Sequence, residues 1–407
     1  MTPRFYSRAK SRSALPRNTG QARLRLTERT QGKNKLIRSS PKMQVSVSVI
    51  LCTHNPRHDY LCRVLASLRE QTLPAEQWEF LVVDNRSNQR MAEIWDISWH
   101  PRGRHIREDE LGLTAARLRG IQEASGKLLI FVDDDNLLAP DYLAQATDIS
   151  GRCPDLGVFG AGILEPEFEV QPPVELHPRL GLLALRREPS ALWSHNGTDT
   201  HCRPWGAGLC VTRRVANFYR QLITDLGITP VLDRRGDRLF SGGDDVFSRA
   251  SAEIGLGFGV FPELWITHLI SAGRLNRHFL VRLIHDHALS HGVLNYMFDG
   301  IQPARTDLVR YARLILHGVK NGPFSMRCRW AESRGLDGAA QFISANRLKP
   351  LGPGRNIYRR NDGTSLPFGH LTGSGNADSK DDRDANGFVA INKTSIYNRD
   401  FSKGNPV

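Results

Sequence analysis

Residues 128–137 read LLIFVDDDNL, an apolar run that ends abruptly in three aspartates. The run from Leu128 to Val132 has no polar alternation, which predicts a strand of a parallel sheet that is buried on both faces. Open α/β sheets bind ligands at the carboxyl ends of their strands. Three adjacent carboxylates repel one another unless a cation or hydrogen-bond donors neutralise them. A divalent metal that carries a phosphate would do so, although a turn capped by Asp and Asn uses the same residues.

A strand–helix–strand unit precedes this stretch. Residues 45–53 (VSVSVILCT) and 79–84 (EFLVVD) predict two strands, the second one buried and ending in Asp84. The helix between them is predicted by apolar residues at positions i, i+3, i+4 and i+7, which are Leu61, Val64, Leu65 and Leu68. Asn55 is a candidate cap for this helix. We expect Thr53, Asn55 and Asp84 to lie at the carboxyl edge of the sheet.

A second helix, predicted from Leu113 to about Ser125, leads directly into the aspartate strand. A right-handed crossover would place Asp84 and Asp133 on the same rim of the sheet. One of them could bind the base or ribose of a nucleotide, and the other its diphosphate through a metal.

Residues 205–212 (WGAGLCVT) predict another strand. Its glycines could serve close packing alone. Alternatively, Gly206 lets the backbone approach a sugar, and Trp205 offers a flat face to a pyranose ring.

The segment 241–255 (SGGDDVFSRASAEIG) predicts a sharp turn followed by a helix. Asp244 and Asp245 would lie in its first turn. Acids at that position complement the helix dipole, so a purely structural role remains open beside a catalytic one.

The segments SVILCTHN, EFLVVDNRS, GLTAARLRGIQEASGKLLIFVDDDN, WGAGLCVTRR and GGDDVFSR follow one another in this order. Over about residues 45–290 the chain therefore resembles the inverting family 2 glycosyltransferases. The resemblance implies an α/β GT-A fold: a single Rossmann-like, mixed, mostly parallel sheet flanked by helices. It also implies transfer of a sugar from a nucleotide-sugar donor to a hydroxyl of a glycan or lipid-linked acceptor. The expected nucleotide is UDP, with GDP and dTDP left open.

The resemblance also suggests roles for individual residues. Asp135 and His268 would hold Mg²⁺ or Mn²⁺ against the diphosphate, although a lone histidine is more often structural. Asp245 would be the general base, with Asp244 as the lesser contender, since the family more often has Glu-Asp here. The nucleotide and donor sugar would contact Thr53, Asn55, Asp84, Asp133, Asp134, Trp205 and Gly206.

The net charge of +13 lies mostly outside the predicted domain. Residues 1–42 contain 12 basic residues and one acid, whereas residues 43–350 contain 35 of each. A neutral domain argues against a nucleic-acid partner. We predict a disordered basic segment at 1–42, a GT-A domain at 43–290, a helical extension at 291–350 and a disordered tail at 351–407. The first segment could be a targeting sequence or an upstream extension before Met43.

Residues 308–320 (LVRYARLILHGVK) predict a basic amphipathic helix. It could lie on a membrane surface or pack onto the catalytic domain. No apolar run is long enough to span a bilayer, and the six cysteines include no CxxC pair, which favours a reducing compartment. We therefore expect a cytoplasmic protein, with peripheral contact at the inner face of the cell membrane left open.

A dinucleotide oxidoreductase would need GxGxxG after the first strand, where residues 53–58 read THNPRH. A sugar-phosphate nucleotidylyltransferase and a non-catalytic carbohydrate-binding protein remain alternatives.

Overall fold

The structure is a computed structural model that describes residues 45–227 and 239–351. These residues form one mixed sheet with helices on both faces. The strands are β1 (Val47–Thr53), β2 (Trp78–Asn85), β3 (Gly103–Glu108), β4 (Leu128–Val132), β5 (Asn136–Leu138), β6 (Leu156–Phe168), β7 (Arg186–Arg187), β8 (Leu192–Ser194), β9 (Leu209–Thr212) and β10 (Gly257–Ile270). The helices are α1 (His58–Arg69), α2 (Met91–Ile94), α3 (Leu113–Glu123), α4 (Tyr142–Arg152), α5 (Arg213–Leu226), α6 (Gly243–Glu253), α7 (Arg277–Asp299), α8 (Leu308–Asn321) and α9 (Pro323–Ala345).

The strand order is β3-β2-β1-β4-β9-β6-β10-β5, with β7 beside β6 and β8 beside β10. The first four strands of this order run parallel, as do β6 and β10, whereas β9 is antiparallel to both of its neighbours. The mixed sheet predicted from the sequence is therefore confirmed, and its longest pairings are parallel.

The register of the parallel strands brings the predicted polar ends together. Thr53 pairs with Asp84, and Leu51 pairs with Val132, the residue before the three aspartates. Strands β1, β2 and β4 are buried at every position, with no alternation of buried and exposed residues. This is the pattern expected for a parallel sheet that is covered on both faces.

The helix after β1 buries the four apolar residues that predicted it. Asn55 does not cap this helix, contrary to expectation. The helix begins only at His58, and the Asn55 side-chain oxygen instead accepts a hydrogen bond from the Asn88 N–H at 2.8 Å.

The predicted strand at 205–212 is shorter in the structure, because only Leu209–Thr212 is extended. The residues before it form a turn that contains Gly208 at φ +66°. A Cβ at Gly208 would lie 2.4 Å from the Tyr142 hydroxyl, which donates a hydrogen bond to the Gly208 carbonyl at 2.6 Å. The glycine is therefore required by packing as well as by backbone conformation.

The C-terminal helices pack against the sheet domain. Helix α7 runs through the predicted boundary between residues 290 and 291. Ala339 and Ile343 of α9 belong to the same apolar core as the sheet, and the described residues form one compact unit. Within this part of the chain no helix is long and apolar enough to cross a membrane. The disorder predicted for residues 1–42 and 351–407 falls on residues outside the described part of the chain, except for Leu351, whose N–H donates a hydrogen bond to the Met297 carbonyl at 2.7 Å.

Candidate active site

The aspartate segment after β4 lies against the end of β1. The Thr53 hydroxyl donates a hydrogen bond to the Asp134 carboxylate. Burial and the neighbouring Asp135, with a smaller effect of Asp133, raise the pKa of Asp134 to about 7. Carboxylates crowded in this way favour a bound cation, because a positive charge removes their mutual repulsion.

Asp135 and His268 approach each other because β5 pairs with β10, which places His268 opposite Asn136. His268 Nε2 lies 3.5 Å from Asp135 Oδ2, and both residues are buried. One divalent cation could be bound by both, since carboxylate oxygens suit Mg²⁺ and Mn²⁺ and imidazole nitrogen is a common ligand of transition metals. Among the described residues no group of three or more acidic, histidine or cysteine side chains is arranged to hold a metal. The remaining ligands would therefore come from a diphosphate and water.

Arg274 lies beside the same two side chains. Its Nη2 is 2.9 Å from Asp135 Oδ2, and its Nη1 is 3.1 Å from His268 Nε2. The guanidinium therefore places positive charge where a metal would bind. Arg274 was not predicted from the sequence, because nothing in its local pattern distinguishes it from a surface arginine.

Asp84 organises the loop after β2. Its carboxylate accepts hydrogen bonds from the N–H groups of Ser87 and Met91 and from Arg107, at 2.9, 3.1 and 2.7 Å. Burial would raise the pKa of Asp84, but these donors outweigh it and hold the pKa below its usual value. The Asn55 N–H donates to the Ser87 hydroxyl at 3.0 Å. Asn55 and Asp84 are thus brought together through this loop.

A buried arginine on α3 links the two predicted centres. The Arg117 guanidinium lies between Gly206 and Gly243, where an added Cβ would be 2.6 and 3.0 Å from its nitrogens. Burial would lower the pKa of Arg117, but Asp133, Tyr219 and Asp244 outweigh it and raise the pKa. Arg117 therefore stays charged between the aspartate segment and the start of α6. The sequence feature that could have identified Arg117 is its position on the apolar face of the predicted helix α3.

Gly206→Ala should displace the Arg117 guanidinium, which is confined by the second glycine on its other side. Since a misplacement of about 1 Å in an active site can lower a rate by about 10²-fold, we expect a loss of that order with little change in Tm. Turnover of donor and thermal unfolding measure the two effects. Gly197→Ala is the matched control, because its Cβ would meet only Ala252 at an ordinary 3.4 Å. Equal losses in both variants would contradict a specific role for the glycine at 206.

The two acids at the start of α6 occupy different environments. Asp244 is partly exposed, and its Oδ2 accepts a hydrogen bond from the Gly206 N–H at 3.0 Å. Asp245 is buried and forms ion pairs with Arg203 and Arg249, the latter at 3.2 Å. The ranking expected from the sequence put Asp245 first as general base. The geometry favours Asp244, because a base must reach the acceptor hydroxyl and Asp245 is enclosed by two guanidinium groups.

The environment of Asp245 lowers its pKa. Burial would raise the pKa, but Arg249, His291 and Arg203 outweigh it. Arg249 in turn pairs with Asp299 at 2.9 Å. This network ties the start of α6 to the end of α7. Asp245 and Arg249 are four residues apart on α6, but Arg203 and Asp299 are distant from them along the chain, so the sequence did not reveal the network.

Asp245→Asn should destabilise the fold, because removing one partner of a buried ion pair costs about 3 to 5 kcal/mol. A lowered pKa means that ionised Asp245 contributes stability above its ordinary value of 3.8. That contribution is lost as the pH falls through the folded-state pKa. Thermal unfolding at neutral and acid pH measures both effects, and the wild type should lose more stability in acid than the variant. A variant as stable as the wild type at neutral pH would contradict this role.

Trp205 is only partly available as a platform for a sugar. The Arg186 guanidinium covers one face of its ring, 4.4 Å from the centroid, and the ring packs against the apolar core. The remaining face could still meet a ligand.

Comparison with known proteins gives three findings. Residues 48–161 match the Glycosyl transferase family 2 profile. AglE of Haloferax volcanii, named a glycosyltransferase, is 32% identical over 51% of this chain and 62% of its own length. EpsH of Bacillus subtilis, also named as a glycosyltransferase, is 30% identical over 27% of this chain and 32% of its own length. The chain thus spans about three fifths of the length of AglE and about one third of the length of EpsH.

Solved structures of low identity resemble the chain more loosely. The mannosyltransferase PcManGT from Pyrobaculum calidifontis, solved with GDP-Man and Mn²⁺, is 18% identical and covers 77% of this chain and 78% of its own, with a TM-score of 0.43. Residues 1–349 of S. aureus TarS with UDP-GlcNAc are 14% identical and cover 74% of this chain and 92% of that one, with a TM-score of 0.40. Such distant likeness carries no functional argument. The mixed, mostly parallel sheet described above and the family match over residues 48–161 agree with the predicted GT-A fold.

Proposed function

We propose that this protein, whose residues 48–161 match the family 2 glycosyltransferase model, transfers a sugar, with inversion, from a nucleotide-sugar donor to a hydroxyl of a glycan or lipid-linked acceptor. The observation that carries the proposal is the convergence of acids and arginines at one edge of the sheet. Thr53, the three aspartates and His268 come from three strand ends, and Arg117 connects them to Asp244.

The donor would lie along the carboxyl ends of β1, β2 and β4. The loop held by Asp84 and Asn55 would receive the base, and Asp133 the ribose or the donor sugar. Asp134 and Thr53 would support that segment through their hydrogen bond. UDP remains the expected nucleotide, with GDP and dTDP as alternatives.

A divalent cation, Mg²⁺ or Mn²⁺, would be held by Asp135 and His268. When bound it would stabilise the negative charge that develops on the departing diphosphate. Arg274, 2.9 Å from Asp135, would steady the same carboxylate and could itself approach a phosphate oxygen.

The acceptor hydroxyl would lose its proton to Asp244. A single in-line displacement requires the base on the face of the sugar opposite the leaving group. The Gly206 N–H holds one Asp244 oxygen in place, so the carboxylate is oriented before the acceptor arrives. Asp245 would position α6 through its two arginines.

A panel of UDP-, GDP- and dTDP-sugars, incubated with Mn²⁺ or Mg²⁺, tests the proposal. We expect metal-dependent release of one nucleoside diphosphate and, with a hydroxyl acceptor, a product of inverted anomeric configuration by NMR. A product with retained configuration would contradict the inverting mechanism. Release of inorganic diphosphate from sugar phosphate and a nucleoside triphosphate would indicate a nucleotidylyltransferase instead.

A further inference from the structure

Helix α8 presents an apolar surface to solvent. Only Leu314 of this helix is buried. Leu308 is 88% exposed, Val319 83% and Leu316 68%. The exposed apolar residues, which we call the α8 surface, are Leu308, Val309, Tyr311, Ile315, Leu316 and Val319. At 100° per residue they cover one continuous arc of the helix. Packing onto the domain, one of the two roles predicted for this helix, therefore buries only Leu314 among its apolar side chains.

Basic side chains flank the α8 surface. Residues 305–334 contain seven basic residues and two acids, whereas residues 43–350 as a whole, this segment included, carry no net charge. Both acids are engaged: Asp307 accepts the Arg310 N–H at 2.7 Å as the cap of α8, and Glu332 lies 3.7 Å from Arg329. Arg313 and Lys320 lie on the helix beside the apolar arc. The surface therefore combines apolar and positive character.

A cavity of about 870 Å³ borders the other side of α8. Arg282, Arg327 and Arg334 line it together with apolar residues of α8. At its rim, the rings of Tyr311 and Trp330 meet edge to face with centroids 5.5 Å apart. Tyrosine and tryptophan are enriched where a protein meets the headgroup region of a bilayer. Positive charge thus lies on both long sides of the apolar arc.

We propose that α8 lies in the interface of an anionic phospholipid membrane, with the α8 surface among the acyl chains and the flanking basic groups at the lipid phosphates. Apolar burial and attraction to anionic lipid together bind such helices to membranes. A second copy of the chain fits less well, because pairing two α8 surfaces would bring like-charged flanks together. This inference is independent of the transferase activity.

Vesicle co-sedimentation of the full chain tests the proposal. We expect binding to phosphatidylcholine vesicles that contain about one third phosphatidylglycerol, weaker binding without the anionic lipid, and weaker binding at high salt. The double variant Leu316→Gln, Val319→Gln should bind at least about tenfold more weakly, and Arg313→Gln, Lys320→Gln should lose a similar factor on anionic vesicles only. These side chains are exposed, so Tm should not change.

Ile94→Gln is the matched control, because Ile94 is 45% exposed on α2 and should leave vesicle binding unchanged. Absence of sedimentation with anionic vesicles would overturn the proposal. So would a concentration-dependent dimer by light scattering that the Leu316→Gln, Val319→Gln variant abolishes, since that would make a second copy the occupant. Donor hydrolysis in solution should be unaffected by the same variant, which separates this test from that of the proposed function.

Discussion

Replacing Asp244 by asparagine is expected to lower the rate of sugar transfer by about 10²- to 10⁴-fold, the range typical of a missing general base. The amide keeps the size of the side chain, and its oxygen can still accept a hydrogen bond from the Gly206 N–H. In the wild type this N–H lies 3.0 Å from the carboxylate. Donor affinity and Tm should therefore stay close to those of the wild type. Turnover of the fastest donor in the nucleotide-sugar panel gives the rate, and calorimetry with that donor's nucleotide gives the affinity.

Asp245→Asn is the informative comparison, because it changes the neighbouring acid in the same helical turn. Its loss of activity should accompany a loss of thermal stability, since Asp245 pairs with Arg203 and Arg249. If Asp245→Asn folds with wild-type Tm and is inactive while Asp244→Asn turns over normally, the base is Asp245. The opposite pattern supports the assignment to the more accessible acid.

Asp135→Ala should abolish transfer and remove the metal dependence of nucleotide binding. The carboxylate is the one that both His268 and Arg274 approach, at 3.5 and 2.9 Å, so its loss removes the anionic ligand of the candidate site. The fold should persist, because a carboxylate at a strand end contributes little to the apolar core. Titration of UDP with and without Mn²⁺ measures the effect, and the wild type should lose affinity on addition of EDTA whereas the variant should not respond.

Asp148→Ala provides the control, since Asp148 is an exposed acid paired with Arg152 on α4. Wild-type affinity for the metal–nucleotide complex in Asp135→Ala would refute the site. If nucleotide binding by the wild type does not respond to EDTA and Arg274→Gln loses that binding, the positive charge at this site comes from the guanidinium and not from a metal.

Strands β1, β2 and β4, helices α1 and α3, and their order along the chain were predictable from the sequence alone. Buried strands such as Leu128–Val132 lack polar alternation, and the helix after β1 repeats apolar residues every three to four positions. These patterns are local, because burial on a strand or a helix face is set by spacing along the chain. The grouping of Thr53 with Asp84 also followed, since parallel strands share one carboxyl edge.

Pairings between distant residues were decided by the tertiary structure. The ion pair of Arg203 with Asp245 and the approach of Arg274 to Asp135 join residues that only the folded sheet and helices bring together. The sequence pattern of two adjacent acids could not tell which one is enclosed, since both begin the same helical turn. Likewise, the amphipathic pattern of α8 predicted an apolar face but not its partner. A helix pattern records which side chains are apolar, whereas exposure depends on what other elements leave uncovered.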